Sequence, residues 1–254
     1  MYASRIRPVV VLLALLAVRP LGGATQSPPS PLPYAIGEVL SYRAVSGRFG
    51  TIGTGTMRVD GPEEVRGQST MRLSFDFKGR VGPFRVEDQT RSWLVADEMM
   101  SVRYTKHERS PLGSHNEDID VYPAEGRWTS AGKPGGRTTI AAPLDELSFL
   151  YHIRCLRLED GATYNLSRHF DPSRNPVVVK VLRRERTTVP AGQFATVVVE
   201  MKVKDSRFGG NGTLVLYLTD DAAHVPVRIE SSAPWVGATR MLLESAQGAR
   251  MAAR

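Results

Sequence analysis

The stretch that decides the fold is residues 143–160, PLDELSFLYHIRCLRLED, because it carries the only convincing helical pattern of apolar residues after the N-terminal region. Pro143 suits a first helical turn, and the acidic residues Asp145 and Glu146 follow it where the helix dipole favours negative charge. Apolar side chains cover most of the circumference, which is typical of a helix buried between other elements. We therefore predict one buried amphipathic helix over about residues 143–159.

A narrow polar stripe remains on this helix, formed by Ser148, His152 and Glu159. A hydroxyl, an imidazole and a carboxylate on one face are the ingredients of nucleophilic catalysis. A serine inside a helix lacks the sharp turn that exposes a hydrolase nucleophile, however, and the chain has no G-x-S-x-G motif. We interpret the stripe as the less apolar side of a buried helix and assign no catalytic residue.

Most of the remaining chain has the pattern of strands. In residues 70–78, Met71, Leu73, Phe75 and Phe77 alternate with polar residues, so one face is expected to be buried. Similar segments joined by short turns precede and follow the helix, which indicates an antiparallel meander. The fold class is therefore mainly β, a strongly curved antiparallel sheet that forms a partly closed barrel or roll around the helix.

Two other local patterns are interpreted structurally. The glycine-rich residues 47–60 lack the Gly-Lys-Ser/Thr of a phosphate-binding loop and predict a bent strand. His115, Glu117, Asp118 and Asp120 resemble metal ligands, but alternate residues of a strand point to opposite faces, so we predict no metal site. No cofactor is expected.

The N-terminal region has the order of a secretory signal: basic residues, a short apolar run over residues 9–18, and small residues ending at Ala24. That run is too short to span a bilayer comfortably, so no transmembrane span is predicted in the mature chain. We expect export to the periplasm or cell envelope. The predicted regions are a signal peptide (1–24), a Pro/Ser-rich leader (25–33), a single antiparallel β domain (34–248) and a C-terminal tail (249–254).

Charge and cysteine content restrict the function further. Removal of residues 1–24 takes away three arginines and no acidic residue, so the net charge falls from +7 to +4. The basic residues 183–186 are interpreted as a solvated strand end, and no nucleic-acid partner is predicted for an exported chain. The one cysteine, Cys155, excludes an internal disulfide, so stability must come from the core.

Four segments, in order along the chain, resemble the bacterial exported proteins called the "domain of unknown function 3108" family. They are residues 36–42 (IGEVLSY), 145–154 (DELSFLYHIR), 189–194 (VPAGQF) and 218–229 (LTDDAAHVPVRI). Tyr217 stands where the family is expected to have a tryptophan. The resemblance implies an envelope location and a mostly β fold, and it carries over no catalytic residue.

We predict a non-enzymatic binding or carrier module for an apolar or lipid-like ligand, since a curved sheet around a helix offers an apolar groove. The alternative is an envelope scaffold or assembly factor that binds a protein partner through exposed strand edges. A Ser/His hydrolase ranks third. A cavity large enough for an acyl chain would favour the carrier, and a solid interior the scaffold. The predicted lining residues are Met71, Leu73, Phe75, Phe77, Trp93, Leu150 and Ile153.

Overall fold

The computed structural model describes residues 32–110, 113–204, 212–233 and 237–251. The predicted signal peptide and most of the predicted leader lie outside these ranges. Within them, no helix combines the length and hydropathy needed to cross a bilayer.

The described residues form strands almost throughout, with one α-helix. The helix, α1, is Glu146–Arg154, and two short 3₁₀ helices are Pro123–Glu125 and Pro172–Arg174. The strands are β1 (Val39–Ser46), β2 (Gly50–Val65), β3 (Gln68–Val81), β4 (Phe84–Val95), β5 (Met100–Ser110), β6 (Gly113–Tyr122), β7 (Arg127–Ser130), β8 (Lys133–Arg137), β9 (Thr163–Leu166), β10 (Val177–Val189), β11 (Gly192–Val203), β12 (Gly212–Thr219), β13 (Pro226–Ala233) and β14 (Gly237–Gln247).

All the strands belong to one antiparallel sheet with the order β8-β7-β6-β5-β4-β3-β2-β1-β14-β13-β12-β11-β10-β9. Consecutive strands pair with each other from β1 to β8 and from β9 to β14, and β1 joins the two halves by pairing with β14. The sheet curves into a roll but does not close, since β8 and β9 are its two edges. The predicted fold class, a mainly β roll built as an antiparallel meander, is confirmed.

Two glycines allow the close approach of β2 and β3. Gly53 pairs with Gly79, and a Cβ atom on Gly53 would lie 2.3 Å from the carbonyl oxygen of Lys78. A Cβ atom on Gly79 would lie 2.2 Å from the carbonyl oxygen of Ile52. No larger residue fits at either position without a shift of the backbone, so these glycines are strand residues with a packing role.

Helix α1 is shorter than predicted: it begins at Glu146 and ends at Arg154, instead of covering residues 143–159. Asp145 is the N-cap, and its side chain accepts hydrogen bonds from the backbone N–H groups of Leu147 and Ser148. The Ser148 hydroxyl accepts from the N–H of Asp145, which completes a capping box. Pro143 therefore precedes the cap, and Leu144 forms a short parallel bridge with His169.

The apolar side of α1 lies within the concave face of the sheet. Leu147, Phe149, Tyr151 and Ile153 are buried in one core cluster together with residues of both halves of the sheet. At the C-terminal end of the helix, the buried Arg154 forms an ion pair with the buried Glu38, with Nη1 2.6 Å from Oε1. The predicted burial of the helix against the sheet is thus confirmed.

Two local signals are overridden by strand pairing, and the strand end predicted at residues 183–186 was wrong. Residues 132–136 (GKPGG) have the composition of a turn but are mostly part of β8, where Gly136 lies so close to Trp128 that a Cβ atom would be 2.7 Å from its ring. The basic residues 183–186 lie inside β10, which continues to Val189. In both places the pairing with a neighbouring strand outweighs the local turn or strand-end signal.

Candidate functional site

A cavity of about 660 Å³ lies between α1 and the concave face of the sheet. This volume is within the range of about 300–1,000 Å³ that is usual for small-molecule sites in proteins. The apolar part of its wall comes from the helix and from both halves of the sheet. These apolar residues are Met57, Phe75, Leu147, Phe149, Leu150, Val177, Met201, Val203, Leu214, Ile229 and Met241.

The register of the sheet explains why strand residues so distant in sequence line one cavity. Met57 pairs with Phe75, Phe75 with Thr90, and Thr90 with Lys106. Residues directly opposite each other in an antiparallel pair share a face, so this row runs across the inner side of one half of the sheet. In the other half, Leu214 pairs with both Met201 and Ser231, which lines the opposite wall.

Gly55 connects the two halves of the cavity wall. A Cβ atom at this position would lie 2.6 Å from Cε of Met241, so the missing side chain leaves room for the methionine. The Met241 side chain thereby reaches across β1 from β14 and approaches Phe75. We infer that Gly55 helps to shape the cavity.

One end of the cavity, beside the start of α1, is charged. Lys106 Nζ lies 3.4 Å from Glu146 Oε2 and 3.8 Å from Asp88 Oδ2. Arg174 contacts the other oxygen of Glu146 and lies 3.4 Å from Glu117. Burial raises the pKa of Asp88 above its usual value, while the nearby Lys106 acts in the opposite direction. This end can therefore bind polar groups of either sign.

His169 adds a polar group to the cavity wall. The residue is 3% exposed, and its Nδ1 accepts a hydrogen bond of 3.1 Å from the backbone N–H of Asp171. Burial lowers its pKa to about 4, so the ring is neutral at pH 7 and carries its hydrogen on Nε2. Nε2 has no hydrogen-bond partner among the described residues. A buried donor without a partner costs about 1–3 kcal/mol.

The cavity opens to solvent near Arg174, because Lys204 at the opening donates to the carbonyl oxygen of the neighbouring Asn175 at 2.6 Å. The lining residues Lys204, Thr213 and Ser232 are exposed. The neighbouring lining residue Ser231 pairs with Thr239, which in turn pairs with Ser46 at the end of β1. The mouth of the cavity is therefore level with the β1–β2 turn.

The structure places the seven predicted lining residues in different surroundings. Phe75 and Leu150 line the cavity. Leu73 and Ile153 are fully buried in the core, and Met71 packs against it. Phe77 packs instead against a small cluster of Ala44, Ile52 and Val81. Trp93 points away from the cavity, since its Nε1 donates to Glu63 and Arg103 lies over its ring, 5.3 Å from the centroid.

The polar stripe Ser148, His152 and Glu159 does not form one site. Ser148 is fully buried, and its hydroxyl is used by the capping box and by Ser101, whose hydroxyl donates to it at 2.8 Å. His152 is not hydrogen-bonded to Ser148, and burial lowers its pKa to about 4. Glu159 lies beyond the helix, exposed and paired with Arg157 at 2.9 Å.

The acidic strand β6 is engaged in ion pairs. His115 Nε2 lies 2.9 Å from Glu117, and Asp120 lies 2.5 Å from Arg66. Asp118 is 3.5 Å from Arg103. In the part of the chain that the structure describes, no group of three or more His, Cys, Asp or Glu side chains is arranged to hold a metal ion.

The sequence predictions missed the charged end and the histidine. Lys106 continues the inward alternation of Val102 and Tyr104, so it could have been recognised as a charged residue on the inner face. The same alternation in β4 places Asp88 and Thr90 on the inner face and Trp93 on the outer face. Arg174 and His169 lie in irregular segments, where no periodic pattern indicates direction.

Together, the fold and the cavity define the class of the protein: an antiparallel β roll with a helix within its concave face and a partly apolar cavity beside that helix. The chain belongs to the family described as "Protein of unknown function (DUF3108)", which matches residues 40–244. The family predicted from the four sequence segments is thereby confirmed. No curated protein is detectably similar in sequence.

Solved structures show a similar fold at low sequence identity. A "beta-barrel-like protein of domain of unknown function DUF1849" from Brucella abortus has a TM-score of 0.54 and 11% identity, covering 84% of this chain and 98% of its own. An exported protein described as having a YmcC-like fold, from Bacteroides fragilis, has a TM-score of 0.33 and 13% identity, covering 85% of this chain and 98% of its own. The first of these supports the curved, barrel-like sheet.

Proposed function

We propose that the protein is a non-enzymatic binding or carrier module for an apolar or lipid-like ligand, and that it acts in the periplasm or cell envelope. The observation that carries this proposal is the cavity of about 660 Å³ between α1 and the sheet, which opens to solvent at one end. Its wall is apolar along α1 and both halves of the sheet, where an acyl chain would be removed from water.

The polar features of the cavity support an amphipathic ligand over a pure hydrocarbon. His169 contributes its neutral ring to this wall, with Nε2 enclosed by the protein, so the polar contacts of a ligand would come from the charged side chains. Lys106 and Arg174 lie at the same charged end as Glu146, close to the His169 side of the cavity wall. A ligand with an apolar chain and an oxygen-rich end fits both parts of the cavity.

Leu214→Trp tests the proposal, because the larger side chain would fill part of the cavity near its mouth. We expect the wild-type protein to bind a fluorescent fatty acid, and Leu214→Trp to bind it at least tenfold more weakly, since the tryptophan occupies the volume needed by the chain. Fluorescence titration measures the affinity, and organic extraction with mass spectrometry shows whether lipid co-purifies.

The matched control is Val215→Trp, on the same strand but on the opposite face, where Val215 pairs with Glu200 and Glu230. This variant should bind the fatty acid like the wild type. The proposal fails if the wild-type protein neither binds the fluorescent fatty acid nor carries lipid after purification. Equal loss of binding in both variants would assign the effect to folding instead of to the cavity.

A second candidate, the scaffold or assembly factor, is favoured by the open sheet. Among the described residues, β8 and β9 each lack a strand partner on one side, and such edges can accept a strand of another protein. A pull-down from envelope extracts distinguishes this role from the carrier role. The third candidate, a hydrolase, would need Ser148 to reach a substrate, whereas this serine is fully buried in the helix cap.

A further inference from the structure

Two exposed phenylalanines lie at neighbouring hairpin turns, at the end of the sheet that holds the cavity mouth. Phe49 lies in the β1–β2 turn and is 39% exposed, and Phe84 begins β4 at the β3–β4 turn and is 52% exposed. Gly53 of β2 pairs with Gly79 of β3, so the two turns, a few residues further along, are neighbours. Single exposed apolar residues are common on protein surfaces, but here an exposed aromatic residue lies at each of two neighbouring hairpin tips.

The charge of these two turns is positive. Residues 47–50 and 79–86 contain the arginines Arg48, Arg80 and Arg85 and no acidic residue. Arg80 and Arg85 are directly opposite each other in the β3–β4 pair, and both are exposed. Within the described part of the chain, neither forms an ion pair with a carboxylate. Like charges directly opposite are destabilising, and an external anion would relieve this repulsion.

We propose that these two hairpin tips, the Phe49/Phe84 tips, dock the protein on a bilayer that contains anionic lipid. Aromatic side chains enter the interface between headgroups and acyl chains, while arginines bind the phosphate groups. Arg48, whose guanidinium carbon lies 5.2 Å from the Phe49 ring centroid, combines the two properties in one turn. The inference extends the proposed function, because it supplies the surface from which a lipid would enter the cavity.

The position of the mouth supports this docking direction. Ser231 lines the cavity at its mouth and pairs with Thr239 of β14. Thr239 pairs in turn with Ser46, the last residue of β1 before the β1–β2 turn. The mouth and this turn therefore lie at the same end of the sheet. Contact of the Phe49/Phe84 tips with a bilayer would therefore bring the mouth to the headgroup region, and the ligand would not have to cross bulk water.

Co-sedimentation with vesicles tests the proposal, with the chain that begins at Thr25 so that the apolar residues 9–18 do not themselves partition into lipid. We expect binding to vesicles of phosphatidylcholine with phosphatidylglycerol, and little binding to phosphatidylcholine alone. Arg80→Gln with Arg85→Gln should lower the partition coefficient roughly thirtyfold, since each arginine near an anionic surface contributes about 1 kcal/mol. Phe49→Ser with Phe84→Ser should lower it at least about tenfold.

Matched controls carry the same chemical changes elsewhere. Arg157→Gln with Arg186→Gln removes two exposed arginines, and Leu182→Ser removes an apolar residue that is 39% exposed on β10. Both should bind like the wild type. The proposal is overturned if the wild-type protein does not bind anionic vesicles at low ionic strength, or if the tip variants bind as well as the controls.

The same assay separates this inference from the proposed carrier role. Leu214→Trp fills the cavity but leaves the Phe49/Phe84 tips intact, so it should keep vesicle binding while losing the fluorescent fatty acid. Vesicle binding without any ligand uptake would reject the carrier and retain the docking surface. Ligand uptake without vesicle binding would reject the docking surface and retain the carrier role.

Discussion

At the scale of single residues, the ion pair between Arg154 and Glu38 shows how a buried charge can be retained. Two bonds join the guanidinium to the carboxylate, of 2.6 and 2.9 Å, and Nε donates to the carbonyl oxygen of Ala223 at 3.1 Å. The rings of Tyr34 and Tyr151 lie 5.1 and 5.6 Å from the guanidinium carbon. The pair ties the N-terminal strand to the end of α1, across 116 residues of sequence.

Arg154→Met should therefore destabilise the protein by about 3–5 kcal/mol, because Glu38 would remain buried without its partner. Urea unfolding measures the change in the free energy of unfolding. The double variant with Glu38→Met should be more stable than the sum of the two single effects predicts, by at least about 1 kcal/mol. Arg157→Met is the control, since Arg157 is 91% exposed, and its effect should stay within about 0.5 kcal/mol.

At the scale of elements, the start of α1 depends on a buried polar network and not only on apolar burial. Asp145 is fully buried, accepts from two backbone N–H groups of the helix, and accepts from the Ser92 hydroxyl of β4 at 2.5 Å. Ser101 of β5 reaches Ser148 of the same cap at 2.8 Å. The cap thus joins the helix to two strands and sets where the cavity wall begins.

Asp145→Ala should cost about 2 kcal/mol, because it removes the cap and leaves the Ser92 hydroxyl without this partner. Asp145→Asn keeps an acceptor oxygen for the helix and should cost less than half as much. Circular dichroism during urea unfolding provides the measurement. Asp171→Ala is the matched control, since Asp171 caps only the exposed 3₁₀ helix Pro172–Arg174. Equal effects at both caps would contradict the proposed role of the buried network.

At the scale of the whole molecule, stability depends on pH through groups in the interior. Burial lowers the pKa of both His152 and His169 to about 4. Burial raises the pKa of Asp145 to about 6, against the hydrogen bonds it accepts. The histidines bind protons more readily in the unfolded chain than in the folded one. Their contribution to the free energy of unfolding is therefore lost as the pH falls from about 6.5 to 4. Asp145 acts in the opposite direction, since its contribution is lost as the pH rises from about 4 to 6.

We expect the contribution of the two histidines to the free energy of unfolding to fall between pH 7 and pH 4.5, whereas the buried carboxyl groups of Asp145 and Asp88 act in the opposite direction. His169→Gln should flatten this pH dependence, by up to about 3 kcal/mol, because the substituted residue does not titrate. Urea unfolding at pH 7 and at pH 4.5 measures the change in the free energy of unfolding. His107→Gln, at an exposed position, is the control for the histidine-to-glutamine exchange itself. A slope that His169→Gln does not alter would contradict the assignment.

Periodicity predicted much of the fold because the strands are long and have one buried face. In β3, Leu73 is buried and Lys78 is exposed as the alternation predicts, although Ser74 on the face predicted to be wet is also buried. The short strands β7, β8 and β9 were missed, since they have too few residues to show a period. The N-cap was missed because Pro143 suits a helix start as well as the segment that precedes one.

The candidate site was harder to predict than the fold. Alternation assigns Phe75, Leu73 and Phe77 to the same face, yet only Phe75 lines the cavity, while the other two pack in different clusters. Whether an inward-facing residue lines the cavity depends on where α1 packs against the sheet and on the absence of a side chain at Gly55.

Local periodicity and short ordered segments were enough to predict the antiparallel meander, the buried helix and the family. The packing of α1 on the sheet determines that a cavity exists, that Lys106, Glu146 and Arg174 meet at one end of it, and that its mouth is level with the β1–β2 turn. A cavity is the space left between two packed surfaces. Its shape depends on long-range packing, which no local pattern encodes.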